Sequence, residues 1–329
     1  MKISVITPVY NREDCIERCM KSVEESIKYI LNNRGSYFDD IQFEQIVVDD
    51  GSKDNTPQIV QQYANCHSWL RLISFPKNKG TNAARNAAIK AAKGDWCIIL
   101  DSDDYFLPTA LETIISVMRK HEGYKHYMFA PDDMQPYYEQ NQILKGCKEK
   151  ALLYPDFLNG YIGGDFIHVC NTEILRRHPF NEQIRIYEGL FFLMFYRDAK
   201  QMWFTNEVVT IRERNRSDSV SRESIRTKRV FIERNIQYAE LMLENFEEDM
   251  KNLHMFRRLT AIKERLLENL LLVSNYKKAK AILKSNDIVT NRKVKILKLV
   301  FVLKLGFAYR FLLQTYLFIK YQVFHKRLA

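Results

Sequence analysis

The first hundred residues alternate short apolar runs with segments in which apolar residues recur at helical spacing. The apolar runs predict strands, and the periodic segments predict helices between them. Strand–helix alternation of this kind is typical of an α/β domain with a parallel sheet and helices on both faces. We expect strands at 2–6, 43–48, 70–75 and 95–100, and helices at 14–31, 56–64 and 80–92.

Acidic side chains cluster where the fourth predicted strand ends. That strand leads directly into Asp101, Ser102, Asp103 and Asp104, so three carboxylates fall within four residues. An unpaired carboxylate is costly to bury, and a divalent cation is the commonest compensation at a strand exit. The alternative is that these acids cap a helix that begins near Pro108.

Polar residues also follow the first and second predicted strands, at 7–11 and 49–52. In parallel sheets, ligands bind at the carboxyl ends of the strands. Asp50 can accept a hydrogen bond from a nucleotide base or ribose, and Gly51 allows a tight turn. The alternative is an Asx-type turn that caps the next helix.

Residues 78–86 indicate a helix N-terminus rich in small residues, which suits the close approach of an anion. Arg85 would lie one turn inside that helix and face the same crevice, or it would be a solvated helix arginine. A GxGxxG fingerprint is missing after the first strand, and GxxxxGK[ST] occurs nowhere. A dinucleotide-binding Rossmann motif and a P-loop are therefore both disfavoured.

The composition limits the classes of ligand and surface that the protein is expected to bind. The net charge of +10 favours anionic ligands or surfaces, and the absence of a recognisable DNA- or RNA-binding motif argues against nucleic acid. Six cysteines without a CxxC pair indicate reduced thiols rather than disulfides or a zinc site. The N-terminus reads as a strand rather than a signal peptide.

The pattern changes along the chain. Residues 105–215 mix aromatic residues with loop signals, whereas residues after 221 are helical and nearly free of glycine and proline. We predict one domain at 1–220, with halves at 1–110 and 111–220, followed by a helical region at 221–329.

Four stretches taken together resemble the family-2 glycosyltransferases of the GT-A fold that build bacterial surface polysaccharides. They are Ile3–Asn11, Val47–Thr56, Asn78–Asn86 and Leu100–Asp104, in the order and spacing of that family. The resemblance implies an α/β, Rossmann-like, mostly parallel sheet flanked by helices. It also implies an inverting transfer of a sugar from a nucleotide-diphospho-sugar, most simply a UDP-sugar, to a glycan or lipid-linked acceptor.

The resemblance further implies roles for the strand-exit residues. The donor would be bound by Thr7, Pro8, Tyr10, Asp50, Arg85, Asp101, Ser102 and Asp103. Asp103 and Asp104 would ligate Mg²⁺ or Mn²⁺, which stabilises the negative charge of the departing diphosphate. Hard oxygen ligands suit these ions better than zinc.

The same resemblance identifies Glu188 as the general base that deprotonates the acceptor hydroxyl. The family usually has an acidic pair here, and Gly189 stands where its second acid falls in another register. The alternative is that Glu188 only caps a helix and the base is lost or comes from elsewhere. Asp165 is a second candidate and a possible acceptor-site residue, and His168 is expected to serve packing.

A basic segment after residue 211 resembles the family's closing loop over the donor phosphates. Its clamp residues would be Arg212, Arg214, Ser217 and Ser219. The alternative is a solvated basic loop.

The last stretch, 291–329, is apolar and basic and carries no acid. We predict a peripheral contact with an anionic membrane surface, which would place the enzyme at the inner face of the cell membrane. The alternative is a helical pair packed on the catalytic domain or on another subunit. The rivals to the enzyme itself are a degenerate GT-A scaffold and a nucleotidyltransferase.

Overall fold

A computed structural model describes residues 1–32, 38, 40–144, 146–183, 188–213, 229–285 and 291–319. The chain divides into two units, residues 1–216 and 217–329. The first unit contains the described strands, and the second is helical where it is described.

The first half of the first unit has the predicted alternation. Its strands lie in the order β3-β2-β1-β4 and all pair in parallel. The elements are β1 (Lys2–Val9), α1 (Ile16–Asn32), β2 (Gln42–Asp49), α2 (Thr56–Cys66), β3 (Leu70–Ser74), α3 (Thr81–Ala91) and β4 (Trp96–Ile99). The predicted strands and helices of this half are therefore confirmed.

Burial explains why these segments form their elements. β1 is buried along almost its whole length, as expected for a parallel strand covered on both faces. On α1 the apolar residues at helical spacing all face the core, and each fully buried aliphatic side chain contributes roughly 1.5–3 kcal/mol. They are Ile16, Met20, Val23, Ile27 and Ile30.

The second half extends the same sheet with mixed pairing. β8 is antiparallel to β4 and β6, whereas β6 and β9 are parallel. β9 also takes β5 and β7 as antiparallel neighbours. The added elements are β5 (Tyr105–Phe106), α4 (Ala110–Lys120), β6 (His126–Pro131), α5 (Gln135–Gln140), β7 (Glu149–Leu153), α6 (Tyr154–Leu158), β8 (Ile167–Asn171), α7 (Thr172–Arg177), α8 (Glu188–Ala199) and β9 (Gln201–Ile211).

The strands of the first half are thus all parallel, whereas the complete sheet is mixed. This topology determines which strand ends lie beside one another. The carboxyl ends of β1, β2 and β4 meet at one edge, and the chain returns to the sheet beside β4 through β8.

The second unit is a group of helices packed around α10. Its elements are α9 (Arg229–Asn252), α10 (Phe256–Leu272), α11 (Tyr276–Lys284), α12 (Arg292–Val302) and α13 (Gly306–Phe318). α10 contacts the other four, and the Lys263 ammonium on α10 is buried against the Glu247 carboxylate at 2.9 Å. Of the helices that the structure describes, none combines the length and the apolar character needed to cross a bilayer.

Candidate active site

Asp50 joins the end of β2 to the loop that leads into α3. Its Oδ1 accepts a hydrogen bond from the Lys79 backbone N–H at 2.6 Å, and its Oδ2 accepts from Gly80 N–H at 2.8 Å. Gly51, the next residue, has φ +74°, and a Cβ there would lie 2.6 Å from the Lys77 carbonyl carbon. The sequence-based expectation of a tight turn with close backbone approach is met at this glycine.

Arg85 lies on α3 with only 4% of its surface exposed. One guanidinium nitrogen, Nη1, donates to Glu188 Oε1, and Nη2 donates to Asp101 Oδ1 at 2.8 Å. Although burial lowers the pKa of Arg85, the charges of Asp101 and Glu188 outweigh it and raise that pKa above its ordinary value. Arg85 therefore remains a cation between two carboxylates, and both of these donors point at side chains of the site.

Glu188 is the first residue of α8, and 40% of its side chain is exposed. It meets Asp101 around a single guanidinium, so the strand exit and the start of α8 face one another across Arg85. Gly189 has open space around its Cβ position. The role of Glu188 as base stays a prediction.

The acidic exit of β4 is partly neutralised by basic and backbone groups. Asp103 Oδ2 lies 3.8 Å from Arg12 Nε, and Asp104 Oδ1 accepts from Glu213 N–H at 3.2 Å. Burial, followed by the charges of Asp101 and Asp103, raises the pKa of Asp104 to about 8. The charged form of Asp104 is thus disfavoured until a further cation approaches.

These residues fit a hard divalent cation. Among the residues that the structure describes, no group of three His, Cys, Asp or Glu side chains forms a ready-made metal site. Asp103 and Asp104 supply two hard oxygen donors, and Mg²⁺ commonly takes one or two carboxylates and completes its shell with substrate phosphates and water. Burial, and after it repulsion from Asp101 and Asp103, raises the pKa of Asp104, and a bound cation relieves that repulsion.

The three residues at the exit of β1 differ in exposure. Thr7 is fully buried, and its Oγ1 accepts from Gln45 Nε2 at 3.1 Å. Pro8 is buried as well, whereas Tyr10 is partly exposed. Of the three, Tyr10 is therefore the residue that is partly exposed, and the donor-binding roles of all three stay predictions. The Ser102 residue is also buried, at 7% exposure.

Arg212 follows β9 and is held by two acids. Its Nε and Nη2 donate to the two oxygens of Asp133 at 2.9 and 2.6 Å, and its Nη1 donates to Asp165 Oδ2 at 2.7 Å. As placed, Arg212 would have to exchange these partners before it could bind a phosphate. The other predicted clamp residues, Arg214, Ser217 and Ser219, lie outside the described residues.

Sequence reasoning missed Asp133, although a signal was present. Asp132 and Asp133 directly follow the buried strand β6, so they form another acidic strand exit. Asp165, which is 75% exposed at its side chain, joins them through Arg212. Asp132, Asp133, Asp165 and Arg212 form a charge cluster on the second half of the sheet.

His168 and His126 form a buried stack beneath the site. Their rings lie 5.2 Å apart at 13°, and the His168 ring stacks on Phe192 at 3.9 Å. Burial lowers the pKa of His126, and burial together with the Arg85 charge lowers the pKa of His168 to about 3. Both rings are therefore neutral near pH 7, which agrees with the predicted packing role of His168.

Asp101 and Glu188 meet at the buried Arg85 near the carboxyl ends of the parallel strands, the region where α/β enzymes bind their ligands. The chain belongs to glycosyl transferase family 2, whose family model, described as "Glycosyl transferase family 2", matches residues 4–183. This confirms the resemblance found in the sequence and makes the protein a glycosyltransferase. The rival assignments, a scaffold and a nucleotidyltransferase, are not supported.

Two curated relatives illustrate the sequence similarity. The GalNAc(5)-diNAcBac-PP-undecaprenol beta-1,3-glucosyltransferase of Campylobacter jejuni is 26% identical over 224 residues, which is 67% of either chain. The poly(ribitol-phosphate) beta-glucosyltransferase of Bacillus spizizenii is 40% identical over 112 residues, which is 34% of this chain and 16% of that enzyme. The similarity to the second relative thus concerns only a small part of its length.

Two solved structures share the fold. S. aureus TarS 1–349 in complex with UDP-GlcNAc matches with a TM-score of 0.60 and 21% identity, covering 80% of this chain and 72% of TarS 1–349. The mannosyltransferase PcManGT from Pyrobaculum calidifontis in complex with GDP-Man and Mn²⁺ has a TM-score of 0.50 and 18% identity, covering 99% and 88%. Together with the family match they establish the GT-A fold.

Proposed function

We propose that this glycosyltransferase transfers a sugar from a UDP-sugar, with inversion, to a hydroxyl group of a lipid-linked or polymeric surface glycan. The observation that carries the proposal is the pair of hydrogen bonds from Arg85 to Asp101 and Glu188. This arrangement joins the donor side of the site, at the exit of β4, to a single carboxylate at the start of α8.

Glu188 is the proposed general base. Its Oε1 is held by Arg85, so Oε2 is the oxygen that would take the proton of the attacking hydroxyl. Partial exposure of this side chain leaves room for an acceptor. A base that acts from the side opposite the leaving diphosphate favours direct displacement and inversion of the anomeric carbon.

Asp50 and Tyr10 are proposed to bind the nucleoside. Each oxygen of Asp50 already accepts one backbone N–H, but a carboxylate oxygen has two acceptor positions. Asp50 can therefore also accept from a base N–H while it orients the loop before α3. The support for a uridine nucleotide comes from the fold relative TarS, which was solved with UDP-GlcNAc.

Asp103 and Asp104 are proposed to hold Mg²⁺ or Mn²⁺. When bound, this cation neutralises charge that develops on the leaving diphosphate. Arg12, beside Asp103, contributes a second positive charge to the same edge. The fold relative PcManGT was solved with Mn²⁺, which is consistent with this choice.

The acceptor class is proposed from the two curated relatives. One is named for an undecaprenyl-diphosphate-linked glycan and the other for a poly(ribitol-phosphate) chain. A lipid-linked or polymeric acceptor is therefore the favoured substrate.

The second unit has an exposed surface that suits contact with a membrane, where a lipid-linked acceptor would lie. On α12 the buried residues Val294, Leu297 and Val300 face the unit, Ile296 lies on the flank of the helix, and Leu299 lies opposite the packed face. These outer residues are 55% and 58% exposed. α12 therefore presents exposed apolar side chains outside its packed face.

Cations accompany this apolar face. The side chains of Arg292, Lys295, Lys298 and Lys304 are exposed, and no acidic residue follows Asp287 in the sequence. α13 adds Phe307 and Phe311 at 80% and 63% exposure. We propose that α12 and α13, termed here the basic apolar hairpin, bind an anionic membrane surface peripherally.

The enzyme proposal is tested with the purified full chain. A panel of UDP- and GDP-sugars is screened with Mn²⁺ for a rise in the melting temperature and for release of the nucleoside diphosphate. Membrane lipid extract serves as the acceptor source, and NMR gives the anomeric configuration of the product. We expect one UDP-sugar to raise the melting temperature and to be turned over. No stabilisation and no release with any sugar nucleotide would overturn the proposal.

A further inference from the structure

A cleft with a volume of about 640 Å³ lies on the second half of the first unit, and Glu188 is not among its lining residues. α5, the turn that follows it and the turn at Gly160 form its walls. A volume of this size falls in the range of small-molecule sites. None of the proposed donor or metal residues lines it, so the cleft has no role in the function described so far.

Aromatic and amide side chains line the cleft. Tyr137 and Tyr161 are 47% and 58% exposed, which leaves two large rings in contact with solvent. Gln140, Asn141 and Gln142 also line the cleft, and no charged residue is found among the described lining residues. The Asn141 amide already donates to Tyr161 O at 3.0 Å and accepts from Ile143 N–H and Leu144 N–H, so the amides considered for a ligand are those of Gln140 and Gln142. An amide both donates and accepts hydrogen bonds, and an aromatic ring offers a flat apolar face. This combination matches a neutral sugar ring, which has an apolar face and a rim of hydroxyl groups.

The cleft is physically connected to the charge cluster at Arg212. Gly164 has φ +112°, and a Cβ there would lie 2.9–3.1 Å from Met134, Tyr138 and Tyr137. Only a glycine allows the loop to lie directly against these side chains. The next residue, Asp165, accepts the hydrogen bond from Arg212 at 2.7 Å.

The connection continues to the donor side. Glu213, next to Arg212, donates its backbone N–H to Asp104 at the exit of β4. A continuous set of contacts therefore runs from the proposed metal ligand, through residues 212–213 and 164–165, to Tyr137. These contacts hold the cleft and the exit of β4 in one connected part of the first unit.

We propose that the cleft between Tyr137 and Tyr161 is a subsite for a neutral sugar unit of the acceptor glycan, distant from the reacting hydroxyl. The tyrosine rings stack on the sugar, and the amides of Gln140 and Gln142 bind its hydroxyl groups. The role as an acceptor subsite rests on the proposed glycosyltransferase function, whereas the binding of a neutral sugar rests on the cleft alone.

The first measurement is binding of soluble neutral oligosaccharides, built from β-linked hexose and N-acetylhexosamine units, by saturation-transfer NMR. We expect the wild type to bind at least one of them. Tyr161→Ala and Tyr137→Ala should each weaken that binding about tenfold, because part of an aromatic face is no longer buried. Tyr161→Phe keeps the ring and should bind as the wild type does. Phe256→Ala removes an exposed ring from α10 and is the matched control.

The second measurement is steady-state transfer, with donor and acceptor varied separately. We expect Tyr161→Ala to raise the acceptor KM about tenfold while the donor KM and the donor-induced rise in melting temperature stay unchanged. The two proposals fail separately. If the wild type binds oligosaccharide but turns over no sugar nucleotide, the function fails and the sugar site stands. If turnover is intact and no oligosaccharide binds, or if Tyr161→Ala behaves as Phe256→Ala does, the subsite is overturned.

Discussion

Arg85 on α3 and Glu188 at the start of α8 form an ion pair, although they are 103 positions apart in the sequence. The same guanidinium holds Asp101 at the exit of β4. This arrangement orients both carboxylates and maintains a positive charge between the exit of β4 and the start of α8. Arg85 is thus a positioning residue for both acids.

The first prediction concerns the geometry of Arg85. Arg85→Lys keeps the charge, but a single ammonium group cannot reproduce the two directed hydrogen bonds of the planar guanidinium. We expect kcat to fall on the order of 100-fold, with the donor KM changed much less. Arg71→Lys is the matched control, because Arg71 also donates to a carboxylate, Glu44, but on a strand away from the site. Equal losses in both variants would contradict the positioning role.

The second prediction concerns the proposed base. Glu188→Gln retains the shape of the side chain and removes its ability to accept a proton. We expect kcat to fall by roughly 10²–10⁴-fold while donor-induced thermal stabilisation is preserved. Glu173→Gln, on the exposed surface of α7, should leave kcat unchanged. A Glu188→Gln enzyme with a kcat near that of the wild type would assign the base to another residue.

The third prediction concerns the divalent cation. Saturating Mn²⁺ should raise the melting temperature of the wild type, since binding to the folded state at 100 times Kd contributes about 2.7 kcal/mol. Asp103→Asn and Asp104→Asn should each reduce this rise, and Glu173→Gln should not. The melting curves are recorded with Mn²⁺ and with a chelator. An unchanged Mn²⁺ effect in both aspartate variants would place the cation elsewhere.

The fourth prediction concerns the stability of the first unit in acid. Burial raises the pKa of Glu24, but hydrogen bonds from Lys28, Tyr63 and His67 outweigh it and lower that pKa to about 2. A carboxylate whose pKa is lowered on folding stabilises the folded state at pH values above the pKa that it has in the unfolded state, near 4.5. This stabilisation is lost as the pH falls toward 2.

Glu24→Gln should therefore destabilise the protein at pH 7 by at most about 3 kcal/mol, and the difference should shrink steadily below pH 4.5. Thermal unfolding from pH 7 to pH 3 measures this. Glu25→Gln, an exposed neighbour on α1, is the control. A stability difference that does not depend on pH would show that packing rather than charge accounts for the effect of Glu24.

The fifth prediction concerns the basic apolar hairpin. The full chain should sediment with vesicles that contain anionic phosphatidylglycerol and much less with neutral phosphatidylcholine vesicles. Leu299→Ser together with Phe307→Ser should weaken binding to anionic vesicles, because exposed apolar side chains no longer insert. Lys295→Gln together with Lys298→Gln should weaken it most at low salt, where electrostatic attraction is least screened. Equal sedimentation of all variants would indicate that the hairpin serves a protein contact instead.

The sequence alone determined the first half of the fold and the position of its acidic exits. Apolar periodicity and strand-exit polarity are local properties, because side-chain direction follows directly from helix and strand geometry. The run that ends at Asp101 and the turn at Gly51 therefore appear in the structure where the pattern put them. The family assignment also followed from local motifs in the correct order.

Only the tertiary structure decided which distant groups meet. The pairing of β8 with β4, the burial of Thr7, and the contacts of Arg85 and Arg212 depend on segments that are far apart in sequence. No local pattern encodes such contacts, because chain reversals and sheet order bring the partners together. Arg85, expected near the donor, is held between two carboxylates, and Arg212, expected to clamp phosphate, is held by Asp133 and Asp165. The physical reason is charge: a buried guanidinium requires carboxylate partners, and only the folded chain supplies them.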